Sequence, residues 1–498
     1  MLPSKTVANA QAHVTPADGS ARRTYNPANV HPKERNAEEG TAMAVSVETS
    51  RQGQSRTAIA EELVAEYRRR TPRSAEQFES AKRVLPGGDT RTVAFHPPYP
   101  LTVSHGQGCR FTDLDGNVYL DFLNNYTSLI HGHAHPAITE AVTNQVGKGT
   151  NFATALESQT RLAEILTSRV ASVDYIRFTN SGTEATMNAV RAARAFTGRD
   201  VIIKMEGGYH GTYDDFEVSV HPDLASAGPD DAPVGTLDAR GVPANTLDNV
   251  IPTPFNDVDA VTRLMRERGK EVAAIIVEPV MGAGGMIPAD REFLVALREL
   301  TTEYGSLLIF DEVMTFRLET GGVQEHYGVR PDLTTFAKII GGGFPVGAFG
   351  GRAEVMELFD PNRPQPLWQS GTFNGNAITM VAGIAALEHY PAAEVARINR
   401  LGDRLRDGFN QALRDVGVPG FATGYGSFVG LHFTEQQPRN YRDVARGDQS
   451  LKRLVHLGLL IEGVFCAPRL MFCTSTAMEE GIVDEAISAF RRVLERIA

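Results

Sequence analysis

The rhythm of hydrophobic and polar positions changes several times along the chain. Residues 1–56 show no apolar period and are rich in Ala, Ser, Thr, Arg and Pro, which predicts a disordered N-terminal extension. Over 57–84 the pattern turns helical, with Leu63, Val64 and Tyr67 set among charges, until Pro86, Gly87 and Gly88 break it. "GCRFTDLDGNVYLDF" then alternates about Asp115-Gly116, a hairpin signal. Leu162, Ile165, Leu166 and Val170 mark one face of a helix. "DYIRFTN" reads as a strand running directly into the helix "SGTEATMNAVRAARAF". "DVIIKM", "EVAAIIV" and "SLLIFD" are short apolar runs of buried-strand type, and "FPVGAFGG" returns as another strand. Residues 221–249, rich in Pro, Gly, Asp and Ala, read as a long loop over an active site. From about 385 onward, amphipathic helices ("VARINRLGDRLRDGFNQAL") and strands ("FVGLHF", "RLMFCTS") predict a smaller domain. Strands alternating with helices give an α/β fold with a mostly parallel sheet.

Composition narrows the function. The 498 residues carry a net charge of −11, which argues against a nucleic-acid surface. Three cysteines, Cys109, Cys466 and Cys473, are too few and too scattered for a disulfide framework and point to a reducing cytoplasm. No apolar run is long enough to span a bilayer, and no signal-peptide core is visible. His131, His133 and His135 alternate in "HGHAHP", but no fourth ligand follows at useful spacing, so no metal site is assigned.

The candidate chemistry centres on "PDLTTFAKIIGGG", where Lys338 sits between an apolar run and three glycines. An apolar surround lowers a lysine's pKa and frees it to form a Schiff base with a carbonyl. Upstream, "SLLIFDEV" ends in Asp311, a carboxylate at the carboxyl end of a buried strand, where open α/β sheets bind ligands. A buried Asp needs a cationic partner, and a protonated pyridine nitrogen is one. Ser181, Gly182 and Thr183 open a helix just after a strand, a place suited to a phosphate. Arg91 follows the glycine turn and could clamp a carboxylate.

Taken in order, "NSGTEA", "GGYHG", "VEP", "FDEV", "TTFAKIIGGG" and "SGTFNGN" resemble the class III aminotransferases among the fold type I pyridoxal phosphate enzymes. The resemblance runs from about residue 57 to the end. It implies a large domain with a mostly parallel seven-stranded sheet flanked by helices, over 126–384, and a small α/β domain over 385–498. Residues 57–125 would contribute to the small domain and the active site. It implies pyridoxal 5'-phosphate held on Lys338, with Asp311 at the ring nitrogen and Tyr209 stacked on the ring. Ser181, Gly182 and Thr183 would bind the phosphate. His210 and Glu278 would be supporting residues, and Met281 is left out of the cofactor set because a thioether is a poor hydrogen-bond partner. Thr372 would reach the phosphate of a neighbouring subunit, making a homodimer with shared active sites. Arg91, Tyr126 and Arg469 would bind substrate. This arrangement is similar to that of the β-amino-acid (β-phenylalanine) aminotransferases, which implies transfer from a β-amino acid to 2-oxoglutarate or a similar oxo acid. The alternative is glutamate-1-semialdehyde 2,1-aminomutase, which moves an amino group within one molecule. A non-catalytic sensor on the same fold would need a DNA-binding module, and the N-terminal segment is too short and irregular for one.

Overall fold

The computed structural model describes residues 55–497, and the expected extension over 1–56 lies outside the described residues except for Ser55 and Arg56. Ser55 caps the first helix, its hydroxyl accepting the Ala58 N–H at 3.3 Å. The helical pattern of 57–84 is two helices rather than one, Arg56–Arg70 and Pro72–Ala81. Pro72 causes the break: it has no N–H to donate and its ring clashes with the preceding turn, so it serves as the first residue of the second helix. Ile59, Leu63 and Tyr67 face inward on the first helix. They pack with Leu454, Val455 and Leu459 of helix Gln449–Ile461 near the other end of the chain.

The central sheet has seven strands, in the spatial order Tyr175–Thr179, Gly347–Gly351, Leu333–Ala337, Leu307–Asp311, Val272–Val277, Val201–Met205 and Val250–Thr253. All neighbours run parallel except Gly347–Gly351, which is antiparallel to both strands beside it. Most of these strands are buried along their whole length, as strands covered by helices on both faces must be. This explains why they appear in the sequence as continuous apolar runs rather than alternating ones. The glycines of the reversed strand have a steric role. A Cβ on Gly347 would lie 2.0 Å from the Ser181 carbonyl oxygen, so only glycine lets the start of helix Gly182–Thr197 approach the sheet this closely.

The chain ends meet in a second layer. The strands Val103–Gln107, Arg110–Asp113 and Val118–Asp121 form an antiparallel meander, and Val464–Phe465 adds to it in parallel through Leu120 and Asp121. A three-stranded sheet, Phe421–Thr423, Phe428–His432 and Met471–Cys473, packs beside it. The long connection over 206–249 holds only short 3-10 turns, Asp214–Phe216 and Ala244–Asp248. It is fastened by Arg442, whose guanidinium makes a two-pronged ion pair with Glu206 at 2.7 and 2.9 Å and also donates to the Ala227 and Gly228 carbonyls. Beyond Thr212 this connection does not line the central cavity, contrary to the expectation of a loop over the active site. Among the described residues no helix is long and apolar enough to cross a membrane.

Both side chains of the Arg442–Glu206 pair are almost fully buried, at 4% and 3% exposure. Removing one member leaves a charge without a counter-ion in a low-dielectric interior. Arg442→Met is expected to destabilise the fold by about 3–5 kcal/mol, read as a lower urea midpoint. An unchanged midpoint would contradict a fastening role.

Candidate active site

At the carboxyl ends of the parallel strands lies a cavity of about 360 Å³. This is where an open α/β sheet places its ligand. Strand Leu307–Asp311 delivers Asp311 to its floor, and strand Leu333–Ala337 delivers Lys338 one residue past its end. The two strands are direct neighbours, with Asp311 opposite Thr335.

Asp311 is buried at 4% exposure, so its carboxylate needs partners. Oδ1 accepts from Thr335 Oγ1 at 3.0 Å and from the Val313 N–H at 3.1 Å. Oδ2 lies 2.7 Å from His210 Nδ1, and His210 is itself buried with Nε2 lacking a protein partner among the described residues. The adjacent Glu312 turns away from the cavity. It accepts from Val323, Gln324 and Thr315 and serves the fold.

Lys338 has a left-handed backbone, φ +54°, unusual for a residue with a side chain. Burial lowers its amine to about 8, with Asp311 and Glu278 pulling the other way. Low pKa alone does not single it out. Lys204 and Lys452 are also pushed down to about 8 by burial. Lys204, however, donates to the Val218 carbonyl at 2.6 Å, and neither of these lysines lines the cavity. Lys338 alone of the three combines a lowered pKa with access to the pocket.

The walls come from other elements. Helix Gly182–Thr197 points its N-terminus at the cavity, and the amides of Gly182 and Thr183 have no protein acceptor among the described residues. Ser181 caps the helix by accepting the Glu184 N–H at 3.2 Å, leaving its own O–H free to donate. This is a ready anion site. Tyr209 and Val313 also line the cavity. Glu278 lines it as well and fixes the tyrosine: Oε2 accepts the Tyr209 N–H at 3.0 Å and Oε1 accepts the Gly282 N–H at 3.1 Å, while burial raises its pKa. Met281 is fully buried and does not line the cavity.

A second group stands at the rim. Asn124, Asn125, Tyr126 and Thr127 all have positive φ, +48°, +49°, +53° and +73°. Four such residues in a row are costly, roughly 1–2 kcal/mol each, and persist because the surroundings hold them. Asp121 Oδ1 accepts the Leu123 and Asn124 N–H groups, and Asn124 Nδ2 donates to the Cys473 carbonyl. Arg317 donates to the Thr127 carbonyl. The turn carries Asn125 and Tyr126 to two arginines. Arg91 Nη1 donates to Asn125 Oδ1 at 2.8 Å, and its guanidinium lies 6.0 Å from the Tyr126 ring centre. The Arg469 guanidinium lies 5.6 Å from the same ring. Among the described residues neither arginine has a carboxylate partner, and the buried Arg469 Nε has no acceptor at all. Arg91 lines the cavity, whereas Arg469 does not.

The structure thus brings Ser181, Gly182, Thr183, Tyr209, Asp311, Lys338 and Arg91 to one cavity, with Tyr126 and Arg469 at its edge. It does not bring Thr372 there. That residue lies on the exposed segment beside Trp368 and Phe373. Asn125, Ser128, Val313 and Met314 also line the cavity and went unread in the sequence, because an ordinary loop or strand end has no local pattern to mark it. Of the three histidines of "HGHAHP", His131 contacts Thr476 and the Ala386 carbonyl, His133 contacts Asp121, and His135 lies against the His131 ring at 4.7 Å and meets His389 edge to face at 5.5 Å.

These features fit pyridoxal phosphate: an anion site at a helix start, a buried carboxylate, an aromatic wall and a free, easily deprotonated amine. In the cofactor-free protein, acetylation of Lys338 by acetic anhydride, followed by peptide mass spectrometry, is expected to rise through a midpoint near pH 8. The amine is protonated and inert below that pH and neutral and nucleophilic above it. A midpoint near the ordinary lysine value would contradict a dry site.

The comparisons agree with this geometry. The family profile of class III aminotransferases matches residues 93–494. The glutamate-1-semialdehyde 2,1-aminomutase of Methanothermobacter thermautotrophicus is 42% identical over 425 residues, covering 85% of this chain and 99% of that protein. Among solved structures, an omega-transaminase from Sphaerobacter thermophilus is 47% identical with a TM-score of 0.83, covering 85% of this chain and 97% of its own. A β-phenylalanine aminotransferase from Variovorax paradoxus is 36% identical with a TM-score of 0.80, covering 88% and 97%. With its seven-stranded sheet, cavity and motif order, the chain belongs to the class III aminotransferases, fold type I enzymes whose cofactor is pyridoxal 5'-phosphate.

Proposed function

We propose that the protein transaminates a β-amino acid, with 2-oxoglutarate or a similar oxo acid as amino acceptor. The observation that carries this reading is the pair of guanidiniums, Arg91 and Arg469, both close to the Tyr126 ring and without carboxylate partners among the described residues. A β-amino acid holds its carboxylate one carbon further from the amine than an α-amino acid does, and Arg91 on the N-terminal segment stands at the cavity rim to meet it. Arg469 would receive the distal carboxylate of the acceptor. A buried cation without a counter-ion is costly, and a dicarboxylate relieves it.

When bound, pyridoxal phosphate supplies a ring that takes up the electron pair released next to the substrate nitrogen. The chain's residues do the rest. Gly182, Thr183 and Ser181 would hold the phosphate, and Tyr209 and Val313 would confine the ring between them. Asp311, held by His210 and Thr335, places a fixed negative charge that favours a protonated ring nitrogen. Lys338 would carry the cofactor in the resting enzyme. Once released, its amine, which burial lowers to about 8 in the protein alone, would take and return the proton of the reacting carbon.

Thr372 would complete the phosphate site of a second copy. Its absence from the lining of its own cavity and the exposure of Trp368 and Phe373 beside it, 83% and 60%, support a homodimer with shared sites. The three free, buried cysteines accord with a reducing, cytoplasmic setting. The second reading, glutamate-1-semialdehyde 2,1-aminomutase, is favoured by the Methanothermobacter relative. It requires no external acceptor, and so leaves Arg469 without a role.

Incubation with 3-amino-3-phenylpropanoate and 2-oxoglutarate is expected to form glutamate. Arg91→Met is expected to raise KM for the amino donor about ten- to hundredfold, the worth of a charge-assisted clamp. No glutamate, with 5-aminolevulinate formed from glutamate 1-semialdehyde, would reverse the choice.

A further inference from the structure

Arg91 follows the turn at Pro86–Gly88 and is exposed. A long, exposed arginine samples many rotamers, and fixing one of them when a ligand binds costs affinity. Among the described residues its guanidinium has no carboxylate partner, and a single side chain accepts from it. That acceptor is Asn125 Oδ1, 2.8 Å from Nη1. Asn125 is exposed too, and both residues line the central cavity. The reaction outlined above gives Asn125 no role.

Residue 125 is anchored where Arg91 is not. Asn125 belongs to the left-handed turn, with φ +49°. On one side of it Asp121 accepts the Leu123 and Asn124 N–H groups, and on the other Arg317 donates to the Thr127 carbonyl. The Ser128 hydroxyl donates to the Asn125 carbonyl at 3.0 Å. The same turn reaches the Arg91 segment a second time, because the Tyr126 hydroxyl donates to the Val93 carbonyl at 2.8 Å. Within that segment Asp89 Oδ1 accepts the Arg91 N–H at 3.2 Å. The guanidinium of Arg91 and the backbone just beyond it are thus tied to one anchored turn.

The choice of an amide matters. A guanidinium only donates, so the amide presents its oxygen to Arg91 and brings no charge. Arg91 keeps its positive charge and its remaining N–H donors for a ligand. An Asp at the same place would form an ion pair with the guanidinium and compete with a ligand's carboxylate. Asn also tolerates a left-handed backbone better than most residues, so backbone and side chain call for the same residue here. We propose that Asn125 is a positioning residue for carboxylate recognition. It holds the Arg91 guanidinium in its binding orientation and, being uncharged, leaves that charge to the substrate. The proposal rests on the reading that Arg91 binds the substrate carboxylate. It makes residue 125 a determinant of the preference for substrates that carry a carboxylate over those that do not.

The test uses the holoenzyme and two ligands that lack a basic amine and so do not react, 3-phenylpropanoate and its uncharged counterpart 3-phenylpropanamide. Titration calorimetry on the unaltered enzyme is expected to show the carboxylate binding about tenfold tighter or more, the worth of a charge-assisted contact. Asn125→Gly keeps the left-handed backbone and deletes the acceptor. It is expected to weaken the carboxylate about tenfold and leave the amide within about twofold, with an unchanged urea midpoint. Asn125→Asp keeps the shape and the acceptor but adds a charge. It is expected to cost the carboxylate about tenfold as well, again sparing the amide. A merely structural role would not respond to Asn125→Asp in this way, since Asp fits the turn. Either variant retaining the original preference, or weakening both ligands alike, overturns the proposal. Arg91→Met separates the two readings. Loss of the preference in Arg91→Met but not in the Asn125 variants removes the role of Asn125 and leaves the clamp. A preference that survives Arg91→Met, or is absent from the unaltered enzyme, removes the clamp and this proposal with it.

Discussion

A single buried carboxylate constrains the rest of the structure. Asp311 ends a strand that is covered on both faces, and an ionised carboxyl group in such a place is unfavourable unless its oxygens are satisfied. Thr335, the Val313 amide and His210 supply three partners, and they arrive from the neighbouring strand, the following turn and the loop after Met205. The arrangement needs the parallel register that sets Asp311 beside Thr335, and that register sets Lys338 at the cavity three residues on. Glycine at 347 then lets helix Gly182–Thr197 start within reach of the same cavity. Sheet order, steric clearance and charge compensation therefore converge on one point.

Around that point the backbone is held in conformations it would not choose. Lys338 itself is left-handed, and so is the turn of four residues that carries Asn125 and Tyr126. Both are tied to firm structure: Lys338 to the end of a buried strand, the turn to Asp121, Cys473 and Arg317. Strain of this kind is retained where position matters more than stability. Here it presents an amine to the cavity and an aromatic ring close to two guanidiniums.

The buried strands were legible because parallel strands covered on both sides leave unbroken apolar runs, and Asp311 and Lys338 stood out as ionisable residues at the ends of such runs. The start of helix Gly182–Thr197 was legible from its capping residues. The left-handed turn at Asn124–Thr127 was not, since it contains no glycine and is held in part by Arg317 and Cys473, 190 and 349 positions away. The segment over 221–249 looked like a loop over the active site in composition. Its placement depends on Arg442, an ion pair formed across 236 residues that no local pattern announces.

Burial lowers Lys204, Lys338 and Lys452 to the same value, about 8, and of the three only Lys338 lines the cavity and would carry the cofactor. Borohydride reduction of the holoenzyme, followed by peptide mass spectrometry, tests this directly. The expected result is the pyridoxyl phosphate mass on the peptide containing Lys338 and on no other. The mass on Lys204 or Lys452, or on no lysine, would contradict it.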